Sequence, residues 1–381
     1  MRNAGEKRLQ NFITFFCVLV FALFCFVFVA VYKSSEIEVV YDCVATGKLS
    51  YNGYVLSGVV TLLLSGLALW LNRFVGFRRE WTAMAFLPSA LVLAFLTDID
   101  RSFFVGGKEY GGWYAAFAVG LLLYLLSSFV LNRMLPEKIK DPSMAANRIV
   151  WRNLILFVLM FLSVGCLSGG DKSFRREALQ YKYLKKGDID AALAVGEHSP
   201  IASQQLSAQR AYLLSVKGEL AGHFFDYPVY FGAEGLLPSL EKDAPINPDT
   251  IYSHIGGVRN SGESSLGYLS RVASSGDGVV AADYYLTALL SERRLVDFVD
   301  KVFEFYKVAD CNKLPKHYKE ALVLYSYIAP EFDVLPDEPE MKKRFQDMME
   351  RAQECGDTFA CSCLLHPFYG DTYWWYFFYG Y

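Results

Sequence analysis

Five long apolar runs constrain what this chain can fold into more than any other feature of the sequence. Crossing a bilayer core as an α-helix takes about 20 predominantly apolar residues. Runs that meet or approach this length occupy residues 12–32, 53–71, 81–97, 113–131 and 150–167. A soluble alternative would need a core large enough to hide all five. The sequence therefore predicts a bundle of about five transmembrane helices over residues 12–170, preceded by a short cytoplasmic segment, residues 1–11.

Lysine and arginine in the short connections predict the orientation of this bundle. Cytoplasmic connections carry an excess of these residues. One end of the spans has ten of them and the other end has four. The ten are Arg2, Lys7, Arg8, Arg73, Arg78, Arg79, Arg133, Lys138, Lys140 and Arg148. An odd number of spans then places the N-terminus in the cytoplasm and everything after the fifth span on the other side of the membrane. For a protein of a bacterial inner membrane, which is the predicted location, that side is the periplasm.

The distribution of charge excludes some classes of function. Residues 1–170 carry a net charge of +5 and residues 171–381 a net charge of −8. An acidic tail lacks the basic face that binding of nucleic acid requires, so no nucleic-acid partner is predicted. The spans hold no ionisable residue near their centres, where such residues usually mark ion or proton pathways. This argues against a proton-coupled transporter.

The remainder of the chain has an amphipathic helical pattern punctuated by Gly and Pro. Residues 174–200 and 201–228 each read as helix, tight turn, helix, with turn glycines at Gly187 and Gly218. These glycines are 31 residues apart, close to the period of helical-hairpin repeats. The pattern predicts an all-α, solenoid-like domain outside the cytoplasm over residues 171–355, with a loop-rich insertion at 229–277.

The two hairpins resemble tetratricopeptide repeats. The matching positions are Leu179, Tyr183, Gly187, Ala192 and Leu193 in the first unit and Ala211, Leu214 and Gly218 in the second. The second helices are short, and Gly196 stands where an aromatic residue is usual. The resemblance implies stacked helical hairpins without defining the repeat class.

Three further segments resemble an uncharacterised family of polytopic membrane proteins from Bacteroidota that have a repeat-like exported tail. The segments are FFDYPVYFGAEGLLP (224–238), LPKHYKEALVLY (314–325) and DTYWWYFFY (371–379). Members of that family are often longer, with more spans, so this chain would be a short version. No activity is established for the group, and the resemblance implies only an architecture and a compartment.

Residues 356–381 form a segment rich in Cys and aromatic residues. Five cysteines lie outside the membrane in the predicted topology, namely Cys43, Cys311, Cys355, Cys361 and Cys363. An oxidising compartment would permit disulfides among them, with at least one thiol left over. Cys355, Cys361 and Cys363 with His366 offer four potential ligands that suit a soft metal. Their spacing matches no zinc motif known to us, so disulfides or buried thiols are favoured and no cofactor is predicted.

Catalytic motifs are few. Acidic residues cluster in two predicted outer loops, at Glu36, Glu38 and Asp42 and at Asp98 and Asp100. Some membrane glycosyltransferases place a catalytic carboxylate in such a loop, which makes Asp98 and Asp100 the best catalytic candidates. The simpler interpretation is that all five are solvated loop acids.

The C-terminus is dominated by aromatic residues, which make up eight of the last eleven. Tyr and Trp favour the membrane interface, and exposed rings need a cover. Candidate contacts with a bilayer or partner are Tyr373, Trp374, Trp375, Tyr376, Phe377 and Phe378. The alternative is that this segment packs as the final cap of the helical domain.

The leading functional hypothesis from the sequence is a membrane-anchored interaction or assembly module of the cell envelope, with the lipid bilayer and an envelope protein as partners. Helical repeats expose surfaces that suit peptides or partner domains. An enzyme acting on a lipid-linked glycan is one alternative, and a transport or envelope-sensing component is another.

Overall fold

A computed structural model describes most of the chain. The described residues are 4–45, 51–102, 110–133, 142–169, 171–197, 203–239, 248–275, 278–306, 311–332 and 336–380. They form helices and include no β-strand. The predicted all-helical class is therefore confirmed. Contacts divide the chain into two compact units, residues 1–178 and 179–381.

The described residues of the first unit form six α-helices. They are α1 (Ala4–Val27), α2 (Ser34–Ala45), α3 (Gly53–Val75), α4 (Leu87–Thr97), α5 (Gly111–Arg133) and α6 (Pro142–Leu167). A π-helical turn, Phe28–Tyr32, continues α1, and a 3₁₀ helix, Arg79–Phe86, precedes α4. Among the described residues, five helical stretches are long and apolar enough to cross a membrane: Arg8–Tyr32, Gly53–Val75, Arg79–Thr97, Gly111–Leu131 and Asn147–Leu167.

These stretches are apolar on their outer faces as well as inside the unit. Phe21 and Phe157 are fully buried in the centre of the unit. Leu62 and Leu122 point outwards and are 75% and 65% exposed. A helix that is apolar on all sides needs apolar surroundings. The unit is therefore compatible with a membrane protein.

The third apolar stretch does not begin as a regular α-helix. Its 3₁₀ helix is kinked at Trp81 (φ −128°, ψ 18°) before α4 begins. Backbone groups freed by such a break must find partners within a bilayer. The fully buried Asn153 of α6 supplies them. Its side-chain oxygen accepts from the Ala83 N–H (2.7 Å), and its amide nitrogen donates to the Arg79 carbonyl (2.9 Å).

The interpretation of Glu36 and Glu38 as solvated loop acids is wrong. Both residues lie in α2, where their exposures are only 1% and 9%. Glu36 Oε1 lies 3.4 Å from Nζ of Lys33, which is buried too. The Ser35 hydroxyl donates to Glu36 Oε2 (3.2 Å). A buried charge is costly without a partner, so this ion pair belongs to the packing at the start of α2.

The second unit consists of short helices. They are α7 (Lys172–Lys185, which crosses the division), α8 (Ile189–Ala194), α9 (Gln204–Lys217), α10 (Leu220–His223), α11 (Pro248–Ile255), α12 (Ser265–Ser275), α13 (Val279–Ser291), α14 (Leu295–Tyr306), α15 (Lys316–Ile328), α16 (Pro339–Gln353), α17 (Thr358–Tyr369) and α18 (Tyr373–Tyr379). A continuous hydrophobic core runs from Ala192 to Tyr376. The central helix α13 is buried along most of its length.

Three helical hairpins in this unit share one type of turn. The pairs are α7–α8, α9–α10 and α13–α14, and their turns contain Gly187 (φ 77°), Gly218 (φ 73°) and Arg293 (φ 56°). In each turn the next residue donates its N–H to a carbonyl five residues back, the Schellman pattern. The two glycine turns agree with the sequence analysis. The third turn has no glycine, and the second helices α8 and α10 are only 6 and 4 residues long.

The loop-rich insertion at residues 229–277 contains short helices. It contains a 3₁₀ helix, Gly232–Leu236, together with α11 and α12. Leu236 and Leu237 are fully buried, as expected for apolar anchors. Residues 240–247 and 276–277 lie outside the described residues. The described part of the insertion therefore belongs to the core of the second unit.

Candidate functional site

A buried ionic network marks the point where three distant segments of the second unit meet. His317 on α15 has no exposed surface, and Glu320, one turn later, is 2% exposed. His317 Nδ1 lies 2.9 Å from Glu320 Oε2, and its Nε2 lies 3.5 Å from Asp226 Oδ1. Asp226 ends the short helical turn after α10. An imidazole is thus enclosed between two carboxylates.

The electrostatics of this network favour a charged histidine. Burial alone would lower the pKa of His317, but the neighbouring carboxylates of Asp226 and Glu320 raise it above its ordinary value. Burial would likewise raise the pKa of Asp226. His317, His223 and Lys316 instead hold it below its usual range. The folded state therefore stabilises a protonated imidazole against an ionised carboxylate.

A second layer of charge connects this network to the C-terminal segment. Lys316 Nζ lies 3.1 Å from both Asp226 Oδ1 and Asp371 Oδ2. Arg344 on α16 donates to Asp371 Oδ1 (2.7 Å) and to the carbonyl of Phe368 (2.7 Å). These bonds hold the turn between α17 and α18 against α15 and α16.

The aromatic helix α18 is anchored on the same network. The backbone N–H of Tyr373 donates to Glu320 Oε2 (2.8 Å), and Trp374 Nε1 donates to the Glu320 carbonyl (2.7 Å). The Tyr376 hydroxyl donates to the carbonyl of Ser291 (2.6 Å). Tyr373 and Trp374 have no exposed surface, and Tyr376 is 5% exposed. These three rings are structural parts of the core.

The predicted contact role of the C-terminal aromatic residues therefore does not fit Tyr373, Trp374 and Tyr376, because burial leaves them no surface for a bilayer or partner. Trp375 and Phe377 are half-buried, and Phe378 is 38% exposed. The packing agrees with the alternative that this segment caps the helical domain. A contact role stays a prediction for the partly accessible rings.

An open groove of about 500 Å³ lies between α15 and α16, next to this network. Its apolar residues are Val323, Tyr327, Phe345 and Met349, and its polar residues are Ser326, Lys342, Gln346, Glu350 and Gln353. Tyr327 is 56% exposed. The ring of Phe345 lies 5.1 Å from buried Trp374 and 5.6 Å from Tyr327. The aromatic C-terminus thus packs directly beneath the wall of the groove.

The structure does not gather the predicted soft-metal ligands into one site. The Cys355 sulfur lies 3.5 Å from the Arg351 carbonyl oxygen and the Cys361 sulfur lies 3.8 Å from the Ala352 carbonyl oxygen, whereas Cys363 is exposed. The ring of His366 packs edge-on against Trp375 at 4.6 Å. In the part of the chain that the structure describes, no three His, Cys, Asp or Glu side chains are placed to hold a metal ion.

The predicted catalytic carboxylates lie in the first unit, directly after α4. Asp98 Oδ2 accepts a hydrogen bond from Trp113 Nε1 at the start of α5 (2.7 Å). Asp100 accepts one from Ser102. Both carboxylates are half-buried. The Asp98 bond joins the ends of two apolar helices, and a catalytic role for either residue stays a prediction.

Asp226, His317 and Glu320 were not singled out from the sequence, although each lies in a segment that carries the family resemblance. A signal was present, since each is an ionisable residue in a stretch rich in apolar and aromatic residues, FFDYP or KHYKEALVLY. Ionisable residues at such positions are rarely buried unless they are paired.

Fold and site together define an all-helical protein with five membrane-length apolar helices and a helical domain organised around a buried ionic network. The chain belongs to a family of unknown function, DUF6057, which matches residues 7–274 and 266–380. No curated protein and no solved structure matches the chain. The family match covers both units, so their combination characterises the family.

Proposed function

We propose that this chain is a membrane-anchored interaction protein of the bacterial cell envelope, and that its helical domain binds a partner protein in the groove between α15 and α16. The observation that carries the proposal is the groove itself. Its floor and walls offer apolar and aromatic surface, while charged and amide side chains line its rim. This is the composition that receives the apolar face of an amphipathic helix.

The packing beneath one wall of the groove supports the same proposal. A preformed surface binds more tightly because less conformational entropy is lost on association. Phe345 is held from below by Trp374, which is itself tied to Glu320. Methionine and tyrosine, here Met349 and Tyr327, are residues that adapt to or anchor protein partners. The ionic network would then serve function by fixing the shape of the groove.

The hairpin turns support a repeat-like, tetratricopeptide-like organisation of the domain. Helical-repeat domains typically present binding surfaces to extended or helical segments of other proteins. Three hairpins with one turn geometry fit this interpretation. The short second helices α8 and α10 make the repeats irregular.

The apolar helices support anchoring in a bilayer, and the excess of positive charge at one end supports a cytoplasmic N-terminus with an exported helical domain. Fusions after Tyr381 test this orientation. Alkaline phosphatase should be active at that position, and green fluorescent protein exported through the Sec pathway should be dark. The reverse pattern would contradict the export of the domain.

Affinity purification of the full chain in mild detergent tests the groove. The double variant Tyr327→Glu, Met349→Glu places charge in it, and Val296→Glu on α14, where the native side chain is 60% exposed, is the matched control. A stoichiometric partner should accompany the wild type and the control. The groove variant should retain about tenfold less, which corresponds to about 1.4 kcal/mol of binding free energy. Equal recovery with both variants would contradict the groove as the binding site.

A further inference from the structure

A pair of thiols lies at the junction of α16 and α17. Cys355 follows the end of α16, and Cys361 lies in the first turns of α17. The Cys355 Sγ lies 3.5 Å from the carbonyl oxygen of Arg351, and the Cys361 Sγ lies 3.8 Å from the carbonyl oxygen of Ala352. Because these carbonyls belong to consecutive residues, both sulfurs lie at the same end of α16.

The two thiols differ in access, as an attacking and a resolving cysteine do. Cys355 is half-buried, whereas Cys361 is 4% exposed and packs in the core. The neighbouring Cys355 thiol, together with burial, raises the pKa of Cys361 to about 11. The thiolate is the reactive form of cysteine, so the more accessible Cys355 is the better first nucleophile.

We propose that Cys355 and Cys361 form a reversible disulfide that joins the end of α16 to α17 beside the partner groove. The oxidant is an organic disulfide, such as oxidised glutathione or a thiol–disulfide oxidoreductase. The Cys355 thiolate attacks one sulfur of this disulfide and releases one thiolate. The Cys361 thiolate then attacks the Cys355 sulfur and releases the second. Two protein thiols become one disulfide, and the oxidant is reduced to two thiols.

The disulfide would act on the groove through α16. Gln353, which lines the groove, precedes Cys355 by only two residues, and Met349 lies one turn earlier. A cross-link at this end of the helix restricts its fraying and the motion of the groove wall. The proposal concerns the chemistry of the thiol pair and stands independently of the partner and of the compartment.

Cys363 provides an internal control, because it lies two residues from Cys361 but is exposed and has no thiol partner described. Purified full-length protein in detergent is equilibrated with a defined mixture of oxidised and reduced glutathione and then alkylated with N-ethylmaleimide. Cleavage after Arg351 releases residues 352–381, which contain all three cysteines and no further Lys or Arg. Mass spectrometry then counts the alkyl or glutathione groups on this peptide.

The wild-type peptide should lose two hydrogen atoms and carry a single added group, on Cys363. The Cys355→Ser and Cys361→Ser variants should lose no hydrogen and carry two added groups, while Cys363→Ser should form the disulfide and carry none. We expect at least about tenfold more Cys355–Cys361 disulfide than any disulfide to Cys363. Three added groups on the wild-type peptide, or equal pairing with Cys363, would overturn the proposal.

Discussion

One polar site in each unit ties together segments that are distant in sequence, and the two sites do so in different ways. In the first unit, the neutral amide of Asn153 completes the backbone hydrogen bonds of a broken helix. In the second unit, charged Asp226, His317 and Glu320 hold together three segments that are distant in sequence. A neutral amide is cheaper than a charge to bury in apolar surroundings. Buried charges must be paired and hydrogen-bonded, which makes them suited to defining where the segments of an irregular helical domain meet.

The largest expected effect comes from breaking the charged network. His317→Ala leaves the buried carboxylate of Glu320 and the partly buried carboxylate of Asp226 without their shared partner, and should lower the free energy of unfolding of the helical domain by about 3–5 kcal/mol. His223→Ala is the matched control, because His223 contacts the same Asp226 at 2.7 Å but is 52% exposed. Its loss should cost at most about 1 kcal/mol. Thermal unfolding of the full chain in detergent, followed by tryptophan fluorescence, measures both.

Equal effects of the two histidine variants would mean that the buried ions contribute no more than a surface pair does. The distinction between the two units would then lose its energetic basis.

The second largest loss of stability is expected from substitution of Asn153 in the first unit. Asn153→Leu removes the partners of Ala83 N–H and the Arg79 carbonyl and should destabilise the first unit by about 2–3 kcal/mol. Asn72→Leu is the control, since the side-chain oxygen of Asn72 accepts no hydrogen bond among the described residues. Titration with sodium dodecyl sulfate from a mild detergent gives the unfolding midpoints. An Asn72 variant as unstable as the Asn153 variant would contradict a specific role for Asn153.

A pH titration sharpens the comparison, because the helical domain contains two buried groups with raised pKa values, Asp283 and His317. Asp283 accepts a hydrogen bond from Tyr306 (2.6 Å), and burial raises its pKa from 3.8 to about 6. A raised folded-state pKa means stability that is present below 3.8 and lost as pH rises through about 6. The stability from His317 is likewise present below its ordinary pKa of 6.5 and lost as pH rises through its raised value.

The melting temperature of the helical domain should therefore fall as pH rises through about 6 and then through the raised pKa of His317. Asp283→Asn removes the loss of stability that occurs between pH 3.8 and about pH 6. The variant should therefore be more stable than the wild type by about 2 kcal/mol at pH 8. The pH dependence that remains above about pH 6.5 comes from His317 and should disappear in His317→Ala. A wild-type melting temperature that rises over this interval would show that these groups do not dominate.

The smallest effect concerns the third hairpin turn, where Arg293 occupies a conformation that favours glycine. Its guanidinium donates to the carbonyls of Tyr376 and Gly380, which offsets the strain. Arg293→Gly should be more stable than Arg293→Ala by about 1 kcal/mol, because only the alanine variant keeps the strain. At Arg294, which has no positive φ, alanine should be the better replacement. Chemical unfolding of the four variants would show whether this reversal occurs.

Features set by short stretches of sequence were predictable, and features set by distant partners were not. Apolar runs and turn glycines predicted the five membrane-length helices and the turns at Gly187 and Gly218, because helix formation and turn conformation depend on nearby residues. The break at Trp81 depends on Asn153, more than 70 residues later. The burial of Trp374 depends on Glu320, more than 50 residues earlier. The aromatic C-terminus was ambiguous because its composition suits both a membrane interface and a core.

The proposed function requires that the groove between α15 and α16 is the surface that binds a partner. A photoreactive amino acid placed at Tyr327 in the full chain, in living cells, tests this directly, with the same residue at Val296 as the exposed control. We predict one cross-linked product of defined mass from position 327 and none from position 296. The same products from both positions, or no product from position 327, would contradict the account.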